Sequence, residues 1–232
     1  MQNNRKQGNR GRIKTLDFLA IYHQFRYNGG MKIRYLLSLP AFILAPFASS
    51  ADDALNTRAE DYLNTLTTIK TPFTQIAPTG ETATGTFYLK RPERMRFDYD
   101  APVPVVIVST GKFLTYHDTE LDQITNVPIG GSLAGFLAKK EIDFSDDALE
   151  ILESRQEAGI VTIKIQQRKK PEEGNLTLEF TTAPFELKRF ITVDNNKQET
   201  TIALGDAQYG IALEKKLFQP PKHSIFDKKY KR

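Results

Sequence analysis

The sequence predicts a mainly β fold (α+β): a large, strongly curved antiparallel sheet or incomplete barrel, with helices over its concave side. Three observations predict it. About ten segments alternate apolar and polar residues with a period of two. Short turns carrying Gly, Pro or Asp separate most of them, which favours antiparallel neighbours. One amphipathic helical pattern precedes the strands, and a shorter helical stretch interrupts them midway. The pattern by itself leaves open whether the inside is packed or hollow.

The 232 residues divide before any fold begins. Met31 opens MKIRYLLSLPAFILAPFASSADDA, in which basic Lys32 and Arg34 precede an apolar run from Tyr35 to Ala48 and a small-residue Ser49-Ser50-Ala51. That is the anatomy of a cleavable signal peptide over 31–51, and the run is too short and Pro-interrupted for a spanning helix. Residues 1–30 are basic and Gly/Asn-rich without apolar periodicity. They read as an over-extended, disordered start, with Met31 as the true one; the alternative is a long n-region. Residues 52–232 then form a single domain of ordinary size.

This division changes the charge. The whole chain carries a formal +4, but eight of its 32 Lys and Arg and only one of its 28 acids lie in residues 1–51. Residues 52–232 keep 24 bases and 27 acids, a net charge of about −3, which is not a nucleic-acid-binding profile. There is no cysteine, hence no disulfide and no lipid-attachment cysteine after the signal. The expectation is a free, monomeric protein of the periplasm.

Along the chain, Leu55, Ala59, Tyr62, Leu63, Leu66 and Ile69 recur at helical spacing, with acids in the first turn, Lys70 at the end and Pro72 as the stop. Period-two segments follow: ETATGTFYLKR, RMRFDYD, PVVIVST, FLTYHD and LDQITNV. After Gly130-Gly131 the stretch SLAGFLAKK places Leu133, Phe136 and Leu137 on one helical face, and DDALEILES predicts a second short helix after Asp146. Strands resume in IVTIKIQQR, NLTLEF, FELKRFITV, ETTIAL and GIALEKKLF.

Chemistry is sparse. Beyond residue 51 there are two histidines, His117 and His223, so metal sites built from His or Cys are nearly excluded, and no metal or cofactor is expected. No G-x-S-x-G and no phosphate loop occur; Gly130-Gly131-Ser132 reads as a turn. His117 has Asp118 and Glu120 beside it in TYHDTELD, but neighbours on a strand end face different ways. The chain is not expected to be an enzyme.

One ordered series stands out: Phe73-Thr-Gln75, Gly85-Thr-Phe-Tyr-Leu-Lys-Arg-Pro92, Arg96-Phe-Asp-Tyr-Asp-Ala-Pro102, Ile107-Val-Ser-Thr-Gly-Lys112 with Tyr116, and Phe218-Gln-Pro-Pro221. It resembles the LolA family of periplasmic outer-membrane lipoprotein carriers. Phe97 departs from the family pattern, standing where many members have Trp. The resemblance implies an unclosed barrel with an acyl-chain cavity. It implies cargo of acylated lipoproteins, received from an inner-membrane lipoprotein-releasing ABC transporter and passed to an outer-membrane acceptor. A lipid or lipoprotein sensor, or a glycolipid carrier, on the same fold is the alternative. Phe87, Leu89, Met95, Phe97, Tyr99 and Ile107 would lie on the concave face if Pro92 leaves the strand parity intact. Leu133, Phe136 and Leu137, with Leu55, Tyr62 and Leu66 of the lid helix, would face them; the alternative is that they simply fill a core. Arg91 falls where alternation aims it inward. A buried guanidinium needs acceptors, and the carbonyls at the end of a lid helix would serve. By resemblance, Arg91 beside Pro92 latches the empty lid; the alternative is an Arg that reaches solvent at the rim.

Overall fold

A computed structural model describes residues 49–129 and 133–220. The leader over 1–30, the signal segment to Ala48, Gly130-Gly131-Ser132, Pro221 and His223 lie outside the described residues. One helix leads the chain, α1 (Ser49–Thr65). Six strands follow: β1 (Thr68–Ile76), β2 (Thr82–Lys90), β3 (Arg94–Tyr99), β4 (Val105–Thr110), β5 (Phe113–Asp118) and β6 (Gln123–Pro128). After a 3-10 turn at Leu133–Ala138 come β7 (Leu149–Glu157), β8 (Ile160–Gln167), β9 (Asn175–Thr182), β10 (Phe185–Val193), β11 (Glu199–Leu204) and β12 (Gln208–Tyr209). A last 3-10 turn covers Lys215–Phe218.

The strands form one antiparallel sheet in the order β6-β5-β4-β3-β2-β1-β11-β10-β9-β8-β7, with β12 paired to β1. The sheet does not close, because β6 and β7 do not pair. These free edges belong to consecutive strands, so the segment joining them must cross the open side. The edges are blunted against further pairing: β6 ends in Pro128, and β7 carries Glu150, Glu153, Arg155 and Glu157 and a bulge between Ile151 and Glu153.

Register fixes the inner face. Across four strands Thr71, Phe87, Phe97 and Ile107 stand opposite one another, as do Ile69, Leu89 and Met95. Pro92 lies in the β2–β3 turn, and parity across it is intact. In the second half, Val161, Ile163 and Ile165 face Phe180, Leu178 and Leu176, all essentially without exposure. The broken alternation of FELKRFITV is resolved by a bulge after Leu187, which lets Leu187 and Phe190 both point inward. Ala59 and Leu63 of α1 complete this core. On the outer face, Phe218 and Val108 are buried where the last 3-10 turn packs on β3 and β4.

Four sequence expectations are corrected. The first helix stops at Thr65 rather than near Lys70, so Leu66 lies one residue past it and Ile69 and Pro72 are strand residues. The cause is the run Thr67-Thr68-Ile69, whose branched side chains favour the pleated sheet. Pro72 is tolerated because its missing N–H faces the break between β11 and β12, where its carbonyl accepts from the Gly205 N–H at 2.8 Å and the Thr71 hydroxyl at 3.1 Å. DDALEILES is not a helix. Asp146 closes a turn onto the Ala148 N–H, and Leu149 onward pairs with β8. Nine residues are too few to sustain a helix against an available strand partner. SLAGFLAKK is helical, but as a 3-10 turn. GIALEKKLF is not a strand: only Gln208–Tyr209 pairs with β1 before the chain crosses the outside of the sheet.

Gly85 marks the tightest approach in the first half. A Cβ there would stand 2.1 Å from the Asp98 carbonyl oxygen and 2.7 Å from the Phe73 ring. Gly85→Ala is expected to cost about 1–3 kcal/mol through overpacking, seen as a melting temperature several degrees lower. An unchanged melting temperature would show that the Asp98 carbonyl and the Phe73 ring both give way freely.

Candidate functional site

The inner face of the sheet, α1 and the segment 136–144 enclose an apolar pocket. It is lined by Tyr62, Leu63, Leu66, Ile69, Phe87, Leu89, Leu137, Ile142, Leu187, Leu204, Ala207 and Tyr209. Its free volume is only about 10 Å³, roughly the space one water needs. The side chains thus fill their own enclosure in this state, and any apolar guest must displace the lid.

The residues singled out from sequence are distributed unevenly around it. Phe87, Leu89 and Leu137 line the pocket with Tyr62 and Leu66. Met95, Ile107 and Phe136 are buried outside it, and Phe136 stacks on Phe144 at 5.6 Å. Phe97 and Tyr99 are half-buried, with Phe73 edge-on to both at 5.4 and 5.1 Å. Leu55 packs on the core from α1. The side chain of Leu133 lies outside the described residues. Sequence reasoning missed Leu187, Leu204, Ala207 and Tyr209, which reach the pocket from the far end of the chain. For Leu187 the signal was its apolar place in FELKRF; Tyr209 gave none, because its position depends on how the chain leaves β11.

Two polar groups border the apolar face. Gln75, inward on β1, accepts a hydrogen bond from the Tyr99 hydroxyl at 2.5 Å. Burial raises the Tyr99 phenol above its ordinary value, so it stays neutral and donating. The first motif, Phe-x-Gln, thereby joins β1 to the aromatic strand β3.

Arg91 follows the last residue of β2. Its guanidinium donates to the carbonyl of Leu63 in the last turn of α1, to the carbonyls of Lys139 at 2.8 Å and Lys140 at 3.3 Å, and to Oδ1 of Asn64 at 3.2 Å. Its own N–H bonds the Thr67 carbonyl at 2.9 Å. These acceptors are neutral. Partial burial without a carboxylate lowers its pKa from the ordinary arginine value, yet a guanidinium remains charged. The cation adds a donor to the Leu63 carbonyl, which otherwise receives only a 3.3 Å bond from the Leu66 N–H, and it sits at the negative end of the α1 dipole.

The lid's two parts are also tied to each other. Asn64 grips Ile142 at both backbone groups, its Nδ2 donating to the carbonyl at 2.8 Å and its Oδ1 accepting from the N–H at 2.9 Å. One turn earlier Glu60 accepts the Phe144 N–H at 2.8 Å. Asn64 Oδ1 thus serves Ile142 and Arg91 together, joining α1, the 139–144 segment and the guanidinium in one network.

The family described as "Outer membrane lipoprotein carrier protein LolA" matches residues 64–221. A curated "Outer-membrane lipoprotein carrier protein" from Methylococcus capsulatus is 32% identical over 200 residues, covering 81% of this chain and 94% of its own. Another of that name, from Methylibium petroleiphilum, is 36% identical over 100 residues, 41% of this chain and 48% of its own. Among solved structures, a LolA superfamily protein from Nitrosomonas europaea aligns with 71% of this chain and 97% of its own at 10% identity and a TM-score of 0.41.

The shared role of Asn64 is testable. Asn64→Ala removes both bonds to Ile142 and is expected to cost about 1–3 kcal/mol, with hydrogen exchange at the Ile142 amide about tenfold faster or more and that of β8 unchanged. Equal protection in both variants would mean that the 139–144 segment holds its place without α1.

Proposed function

The chain belongs to the LolA family of outer-membrane lipoprotein carrier proteins, and from that premise we propose a working cycle for it as a periplasmic carrier. In this reading the segment 31–51 directs export and is removed. The carrier receives acylated lipoproteins from an inner-membrane ABC transporter and hands them to an outer-membrane acceptor. The observation that carries the reading is an apolar concave face roofed by a lid whose latch is one guanidinium on neutral acceptors.

Magnitudes support it. Exposing an acyl chain to water costs about 0.8 kcal/mol per CH₂, so a lipoprotein with several chains carries a penalty of tens of kcal/mol across an aqueous compartment. A cavity standing open would bind such chains too strongly to release them. Here loading must separate side chains already packed together and break the latch. Each hydrogen bond from a charged donor is worth about 1.5–3 kcal/mol, less where the group is half-exposed. The latch therefore offsets a few kcal/mol of the binding energy, enough to ease release without preventing uptake. On loading, Met95, Phe97, Tyr99, Ile107 and Phe136 would join Phe87, Leu89 and Leu137 as the acyl-contacting surface.

Two outcomes test the cycle. Protein recovered from a periplasmic extract and examined by native mass spectrometry should carry acylated lipoprotein, lost in Phe97→Glu or Ile107→Glu. Free phospholipid or glycolipid alone would redirect the reading to lipid transport or sensing. Arg91→Leu should load but pass cargo to acceptor-bearing vesicles about tenfold more slowly; transfer at the parent rate would remove Arg91 from the cycle.

A further inference from the structure

We infer that acyl chains enter the pocket sideways, between α1 and the segment after β11, through a gate made by Tyr62 and Tyr209; this rests on the carrier reading above. The sheet is thinnest there. β1 pairs with β11 only over Phe73–Ile76, and along the rest of that side its partner is β12, at Ile69 and Lys70. This two-residue ladder is flanked by single backbone bonds, from the Gly205 N–H to the Pro72 carbonyl at 2.8 Å and from the Gly210 N–H to that of Thr68 at 3.1 Å, and is weaker than the nine-residue pairing of β1 with β2 on the other side. Behind this thin stretch lies the pocket, with Leu187, Leu204 and Ala207 on its wall.

The lid helix is tied firmly in other directions. Asn56 accepts from Ser154 on β7. Arg58 donates to the Thr182 carbonyl at 3.1 Å and lies 4.2 Å from the centre of the Phe185 ring. Glu60 and Asn64 hold the 142–144 segment, and Arg91 holds Leu63. Toward the segment after β11 the hydrogen bonding of α1 among the described residues is one pair of hydroxyls, Tyr62 and Tyr209, 3.3 Å apart. An opening on this side separates the apolar pocket lining but breaks few hydrogen bonds of α1.

The two rings are suited to a fixed post and a moving leaf. Tyr62 stands edge-on to Phe180 and Phe185 at 5.8 and 5.6 Å, which holds it in place. Tyr209 is 41% exposed and belongs to the two-residue strand. Burial raises the Tyr62 phenol above its ordinary value, so no charge stands at the mouth of an apolar pocket. A phenol offers an apolar flank to a sliding chain and a polar tip to the water outside. When Tyr209 swings out, Tyr62 and Phe185 remain as an aromatic edge leading inward.

The absence of cysteine makes the gate directly testable. Tyr62→Cys with Tyr209→Cys is bridged by a short bis-maleimide, and uptake of dansyl-undecanoic acid is followed by stopped-flow fluorescence. Bridging is expected to slow uptake at least tenfold against the same variant unbridged. A control bridge between Thr79→Cys and Lys197→Cys, across the open groove at the far rim, should change it less than twofold. Tyr209→Phe removes only the hydroxyl pair and should accelerate uptake about two- to tenfold, the value of one hydrogen bond. Binding at the unbridged rate in the bridged gate, or equal slowing by the control bridge, would overturn the gate and leave the carrier reading standing. A parent protein that binds no acyl probe would overturn both.

Discussion

A curved sheet that stops short of closing has an apolar inner face and no strand to shut it in. Here that constraint falls between β6 and β7, consecutive strands left unpaired at the two edges. Their connection must span the opening, and with α1 it becomes the lid. The best-covered apolar residues belong to β8 and β9 opposite the helix, whereas Phe97 and Tyr99 on β3 are only half-buried. The lid thus covers one half of the concave face more completely than the other. This asymmetry gives the molecule a firm base and a more accessible wall.

How the lid is fastened decides what it can do. Besides the apolar packing of Ala59 and Leu63, it is attached by hydrogen bonds to backbone carbonyls and amides: Arg91 to Leu63, Lys139 and Lys140, Asn64 to Ile142, Glu60 to Phe144. Such bonds can be exchanged for water at modest cost, unlike the burial of a large apolar surface. A lid held by apolar packing alone would compete with an acyl chain for the same contacts, without a separate handle. In the proposed cycle the cation at the end of α1 would supply that handle outside the apolar surface. The pocket, nearly filled by its own side chains, adds a second opposing cost to loading.

Legibility from sequence followed the range of the interactions. Strands β2 to β6 were readable because alternation is a local property, whereas β1 and the parity across Pro92 were decided only by register. The bulge after Leu187 was not, since an extra residue is accommodated by a neighbouring strand. DDALEILES fits helical and strand periods alike, and only its pairing with β8 decides between them. Pro72, read as a helix stop, is a strand residue because the partner on that side is interrupted. Tyr209 reached the pocket from a two-residue strand just before GIALEKKLF, the segment that had been read as a strand and is not one.

By itself the sequence determined the apolar inner stripe of each early strand, the amphipathic N-terminal helix, the motif series and the inward aim of Arg91, because these depend on residue type and on spacing within a few residues. The tertiary structure alone decided which carbonyls receive Arg91, that the lid's two parts share Asn64, and that the enclosed space is almost filled. It also decided where the barrel wall is thinnest. Those features arise where segments distant in the chain meet, and no local pattern records the distance between them.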